Sequence, residues 1–261
     1  MDIIKAIASE LNVRNNQVEA AVKLIDEGCT IPFISRYRKE ATGALNDEQL
    51  RNLDERLKYL RNLEDKKAQV IASIAEQGLL TDELKNQIEK ADTMVAVEDL
   101  YRPYRPKRRT RATIAKEKGL EPLANIIMLQ MTGEPVVKTA EEYVSEEKDV
   151  KTPEDAVAGA KDIIAESISD NADYRTRIRE LTFKEGVLTS AAKDAEAKTV
   201  YEMYYNFSEP VAKMAGHRIL AVNRGENEKI LTVKIEAPVD KILSYLEKQI
   251  IVRDNRYTTG I

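Results

Sequence analysis

The chain has 261 residues, of which 43% are hydrophobic and 33% charged, with 10 glycines, 8 prolines and a formal net charge of −4. That length holds one to two domains and buries enough surface to need no disulfide or metal staple. Sparse glycine and proline with abundant charge favour long solvated helices and exclude collagen-like, low-complexity and disulfide-scaffold classes. A single cysteine, Cys29, and a single histidine, His217, exclude an intramolecular disulfide, Cys-rich zinc sites and any metal site needing two histidines. The N-terminal residues show no basic region leading into an apolar core, and no stretch approaches the ~20 apolar residues of a membrane span. A cytoplasmic protein that does not contact membranes is expected.

The predicted elements are mostly helices. Ile3, Ile4, Ile7 and Leu11 repeat at helical spacing, and Val18, Val22 and Ile25 mark a second helix closed by Gly28. Asn46 with Gln49 three residues on forms a capping-box pattern. The helix behind it runs to Gly78, about 32 residues or ~48 Å, along an apolar seam of Leu50, Leu53, Leu57 and Leu60. Such a rod should organise the packing around it. Thr81 caps the next helix, with Leu84 and Ile88 facing inward. Another ends near Tyr101, because Pro103 and Pro106 forbid a regular continuation. Helices follow from Thr110 to Lys118, from Glu121-Pro122, from Thr152-Pro153 to Ser169, and from Asn171 to Thr182. Near 217–236 the rhythm changes. Residues 218–222 and 229–235 read as strands of a small β-hairpin, before a last helix from Val239 to Val252. The fold class is mainly α: an elongated multi-helix array around one long helix, with that hairpin.

Three segments resemble a known family. Ile31-Pro32-Phe33-Ile34-Ser35-Arg36-Tyr37-Arg38-Lys39-Glu40-Ala41-Thr42-Gly43 is similar to a signature of the Tex-like bacterial transcription accessory proteins. So are Asp99-Leu100-Tyr101-Arg102-Pro103-Tyr104-Arg105-Pro106-Lys107-Arg108-Arg109-Thr110-Arg111-Ala112 and Tyr204-Tyr205-Asn206-Phe207-Ser208-Glu209-Pro210, the last continuing into His217–Glu226. Asn206 stands where the family pattern has Asp, and Ala215-Gly216 where it has Pro-Ser. The resemblance implies a helical N-terminal region over 1–200, with a helix-turn-helix-like part at about 70–130. Residues 201–261 would begin a central region. It further implies a YqgF-type RNase-H-like domain, helix-hairpin-helix elements and an OB-fold RNA-binding domain beyond residue 261, so that this chain is an N-terminal fragment. The implied partners are RNA or DNA, those C-terminal domains and the transcription machinery.

Charge is unevenly spread. Residues 102–118 carry eight cations against Glu117 alone, whereas residues 134–170 carry eleven acids and four lysines. The densest candidate site is Tyr101, Arg102, Tyr104, Arg105, Lys107, Arg108, Arg109 and Arg111. Arginine forks match phosphate oxygens, and tyrosine rings can stack on bases. The structural alternative pairs these cations with acidic helices such as 141–155, or makes the segment a strap against other domains. In 31–43, Arg36, Arg38 and Lys39 can meet phosphate. Alternatively the segment is a short element buried on the long helix, with Arg36 or Arg38 paired to internal carboxylates or helix carbonyls. His217 reads as a capped or core histidine rather than a general base, and Cys29 as a small buried residue. The Leu50–Leu60 seam reads as intramolecular packing rather than a dimer interface. The acids of 141–155 read as a solvated face, since a two-metal nuclease needs acids gathered on strand ends. No Walker A or dinucleotide glycine pattern occurs, so no cofactor or metal is expected. The reading is a non-enzymatic scaffold module that contributes to nucleic-acid binding. The alternative is a protein-binding or interdomain helical scaffold without nucleic-acid affinity of its own.

Overall fold

Capping chemistry sets where the helices begin. In the computed structural model, which describes residues 2–106 and 108–261, the Asp2 carboxylate accepts from the Lys5 N–H at 3.1 Å and opens α1 (Ile3–Leu11). The chain divides into two compact units, Met1–Tyr104 and Arg105–Ile261. In the first, α1 is followed by α2 (Asn15–Asp26), α3 (Ile31–Tyr37), α4 (Asp47–Glu76), α5 (Asp82–Lys90) and α6 (Met94–Tyr101).

The helix α4 carries the expected capping box. Asn46 Oδ1 accepts from the Gln49 N–H at 2.8 Å, and Gln49 Oε1 accepts from the Asn46 N–H at 3.0 Å. Its 30 residues make a rod of about 45 Å. Leu50, Leu53, Leu57, Leu60, Leu63, Val70 and Ile74 are buried along one face. They meet Ile7, Val18, Ile34, Ile88 and Val97 from the shorter helices, all five of which pack on α4. The leucine seam is therefore consumed within this unit, as expected.

In the second unit, α7 (Arg111–Glu117), α8 (Glu121–Leu129), α9 (Val136–Ala140) and α10 (Pro153–Asp170) enclose a core of Ala112, Ala115, Leu120, Leu123, Ile127, Val136, Ala156, Ala160 and Ile163. Small residues let α7 and α10 approach closely. A Cβ built on Gly159 would stand 2.4 Å from Leu120 Cδ1. Next come α11 (Ala172–Glu185), β1 (Val187–Ala192), β2 (Asn206–Pro210), α12 (Gly216–Asn227), β3 (Leu231–Glu236) and α13 (Val239–Ile250). The sheet order is β2-β1-β3, antiparallel throughout, with Ser190 opposite both Phe207 and Val233.

The architecture is mainly α with a small sheet, but the expected hairpin near 217–236 is corrected. Residues 218–222 are not a strand. They belong to α12, whose Val222 and Gly225 are buried at helical spacing while Leu220 is exposed. A short apolar run fits either period, and burial decides between them. The strand β3 is real, but its partner is β1, some forty residues earlier. The strands β1 and β2 carry no strand pattern in the sequence, because Val187–Ala192 is half Ala and Ser and Asn206–Pro210 is half polar.

Candidate nucleic-acid interface

The basic segment begins where α6 ends. Tyr101 Oη lies 3.0 Å from Ser73 Oγ on α4. Arg102–Tyr104 forms a single 3₁₀ turn, in which Pro103 and beyond which Pro106 deny the backbone the donors a helix would need. Tyr101 and Tyr104 are half-buried against the core of the first unit. Their rings are thus engaged in packing. Arg102 and Arg105 are exposed, and Lys107 lies outside the described residues.

On the second unit, Arg108 and Arg109 are exposed ahead of Thr110, the cap of α7. Thr110 Oγ1 accepts from the Thr113 N–H at 3.1 Å and donates to Glu166 Oε1 at 3.0 Å, tying the start of α7 to α10. Arg109 meets Glu117 at 2.8 Å, and Arg111 stands 3.7 Å from Asp162 with its side chain 87% exposed. Further on, Lys116 pairs with Glu121 at 3.1 Å and Lys118 with Asp149 at 3.2 Å. The Lys118 hydrogen bond, then its charge and that of Lys151, hold the Asp149 carboxyl below the usual carboxylate range. Arg111, Lys118, Asp149, Asp155 and Asp162 share an open hollow of about 410 Å³ between α7 and α10. Its mixed charge suits ion pairing. Arg105 and Arg108 have no acidic partner among the described residues.

The other candidates are placed plainly. In 31–43, Ile34 is buried but Arg36, Arg38 and Lys39 are exposed, and no carboxylate among the described residues pairs with them. The expected pairing with internal acids is absent there. His217 sits exposed in the first turn of α12 rather than in a core. Cys29 is half-buried against the first core. Among the described residues no three His, Cys, Asp or Glu side chains gather to hold a metal ion, and no helix is long and apolar enough to cross a membrane. Two polar anchors carried no local signal in the sequence. Arg218 meets both carboxylate oxygens of Glu209 at 2.7 and 2.8 Å, tying α12 to β2. Gln130 secures the chain beyond α13 from more than a hundred residues away.

Two helical units, one bearing a small antiparallel sheet, and an arginine-rich segment with exposed cations define a mainly α protein. The Tex-like protein N-terminal domain matches residues 1–75, and the Tex central region-like domain matches residues 132–256. The chain belongs to the Tex-like family. It is 51% identical over 256 residues to "Uncharacterized protein YdcI" of Bacillus subtilis, covering 97% of this chain and 35% of that protein. It is 41% identical over 268 residues to "Transcriptional accessory protein Tex" of Neisseria gonorrhoeae, covering 100% of this chain and 35% of that one. Over 244 residues it is 30% identical to human "S1 RNA-binding domain-containing protein 1", covering 90% of this chain and 24% of that protein. The chain thus spans about a third or less of the length of these relatives.

Proposed function

We propose that the chain is the N-terminal scaffold module of a Tex-like transcription accessory protein, non-enzymatic, and that its 101–111 segment contributes to nucleic-acid binding. The observation that carries this reading is the exposure of Arg105 and Arg108 without an acidic partner among the described residues. An arginine left unpaired in a locally basic stretch keeps its attraction for phosphate. Arg109 and Arg111 add to it, because an exposed pair with one carboxylate contributes only about 0–1 kcal/mol, which a phosphate can replace. The RNA-binding domain in the name of the human relative supports a nucleic-acid setting. The half-buried Tyr101 and Tyr104 make this segment a reader of phosphates more than of bases. Contacts with the transcription machinery, and with the C-terminal domains that the resemblance implies, belong to the same reading.

The test is fluorescence anisotropy of the chain with labelled single-stranded RNA and duplex DNA, titrated with salt. It runs beside a variant with Arg102, Arg105, Lys107, Arg108 and Arg109 changed to Ala. Salt-sensitive binding that the variant loses is expected, with a slope on duplex of roughly −5 if six phosphates are engaged. The alternative is an interdomain or protein-binding scaffold. It is favoured by the Arg109–Glu117 and Arg111–Asp162 pairs, which neutralise part of the segment within the chain. It requires no binding even at low salt.

A further inference from the structure

Helix α3 and the turn after it form a rigid frame that presents cations and aromatic rings together. Ile34, fully buried, fixes α3 against α4. The hydroxyl of buried Thr42 donates to the Arg38 carbonyl at 3.2 Å, and the Gln17 amide donates to the Gly43 carbonyl at 2.8 Å. Gly43 and Ala44 are both left-handed, with φ of 59° and 64°, and return the chain to buried Leu45. An alanine in the left-handed region is strained, so the turn is held by its surroundings.

What the frame displays differs from the arginines of α4. On α4, Arg51, Arg56 and Arg61 each hold an acid: Asp47, Glu10 and Asp26. Arg36, Arg38 and Lys39 hold none among the described residues. Phe33 is 37% exposed and Tyr37 is 69% exposed. Their ring centroids lie 5.4 Å apart, and the Arg38 guanidinium stands 5.4 Å from the Phe33 ring. Residues 36–41 line an open hollow of about 350 Å³ in which Glu40 is the one acid. The backbone N–H groups of Lys39, Glu40 and Ala41 meet no acceptor among the described residues. Unpaired cations and amides suit phosphate. Exposed rings beside them suit a base face, which a single strand offers and a duplex hides in its stack. An acidic peptide would use the cations but leave the rings idle.

We infer that the α3 turn is a second nucleic-acid contact, which holds a short single strand by stacking a base on Phe33 or Tyr37 and seating its phosphates on Arg36, Arg38 and Lys39. It is independent of the 101–111 segment. The test measures fluorescence polarisation of the whole chain at about 50 mM salt with labelled oligo-U and oligo-dT of about 12 nucleotides, and with a duplex of the same length. The oligo-U and oligo-dT arms separate RNA from DNA as the strand held. Phe33→Leu with Tyr37→Leu should weaken single-strand binding about tenfold and leave duplex binding unchanged. Arg36→Ala, Arg38→Ala and Lys39→Ala together should lower the single-strand salt slope by about 2. Photocrosslinking of wild-type chain to 5-iodouridine oligonucleotide, read by mass spectrometry, should place adducts on Phe33 or Tyr37 and requires no variant to fold. Single-strand binding untouched by both variants, equal losses on single strand and duplex, or adducts confined to other residues would each overturn the inference. Loss of single-strand binding only when Arg105 and Arg108 are changed to Ala overturns it and leaves the proposed function standing. No binding to any probe overturns both.

Discussion

Lys67, 3% exposed near the middle of α4, donates from its ammonium to the main-chain carbonyl of Glu89 at 2.9 Å. Glu89 lies in the last turn of α5, where carbonyls have no helical partner. A buried cation on one helix thus completes the end of the next, and Glu64, 2.9 Å from the same nitrogen, balances its charge.

Removing this contact should be costly. Lys67→Ala leaves a void and an unsatisfied carbonyl, and should lower stability by about 2–4 kcal/mol. Lys67→Met keeps most of the volume and should lose about 1–2 kcal/mol. Urea unfolding followed by circular dichroism checks both. Equal losses for the two would mean that the carbonyl contact, which both variants lose, and not volume, sets the cost.

Acid should loosen the first unit through Asp26. Its carboxylate takes two hydrogen bonds from Arg61, at 2.7 and 2.8 Å, joining α2 to α4. The Arg61 hydrogen bond, opposed by partial burial and helped by its charge, holds the Asp26 carboxyl below its usual range. A carboxyl depressed in the folded state stabilises the fold above its unfolded pKa, and that stabilisation is lost as pH falls through the folded value. The window therefore lies below about pH 4. Asp26→Asn should cost under about 1 kcal/mol at neutral pH, since the pair is half exposed. It should also flatten the fall of melting temperature below about pH 4. An unchanged acid limb in this variant would assign that limb to other carboxylates.

Gly225 is fixed by close approach. A Cβ there would stand 2.6 Å from Leu231 Cδ1, and Leu231 is fully buried at the start of β3. Gly225→Ala gains helix propensity of about 1 kcal/mol but forces a repacking that costs about 1–3 kcal/mol. A net loss is expected. Gly216, in the first turn of the same helix, has nothing within 4 Å of an added Cβ. Gly216→Ala should be neutral or stabilise by up to about 1 kcal/mol. Opposite signs in thermal denaturation would separate packing from propensity within one helix.

These positions show what local sequence can and cannot carry. The box of Asn46 and Gln49, the seam of Leu50 to Leu60 and the Thr152-Pro153 start are interactions within a few residues, so spacing alone reveals them. The partner of β3 has no local signal because the β1 to β3 pairing spans β2 and α12, and residues 218–222 have an apolar pattern compatible with both periods. The candidate sites divide in the same way. Cation density is visible in a string, and so the 101–111 cluster stands out in the sequence. Whether a cation has an acid beside it depends on tertiary neighbours. Glu117 lies near Arg109 in sequence, but Asp162 comes to Arg111 from α10. The unpaired state of Arg36, Arg38 and Lys39 is likewise a tertiary fact.

Gln130 offers the sharpest test of such a distant anchor. It ends α8 in the left-handed region, φ 54°, and is 7% exposed. Its Nε2 donates to the Ile250 carbonyl at 2.7 Å, and its Oε1 accepts from the N–H groups of Val252 and Arg253 at 3.0 and 2.9 Å. One amide therefore pins the chain just past α13, and Asn255 adds bonds to the carbonyls of Gln130 and Thr132 at 3.2 and 3.0 Å. Gln130→Asn suits the left-handed backbone but is one methylene too short to reach all three groups. It should cost about 1–3 kcal/mol and raise hydrogen exchange at Val252 and Arg253 far more than in α10. Gln130→Gly, which removes the amide and relaxes the backbone, should raise exchange at the same two groups. If Asn preserves their protection while Gly abolishes it, a shortened amide still reaches, and the reach argument fails. If both preserve it, the tail is held by Asn255 and Gln130 is only a turn residue.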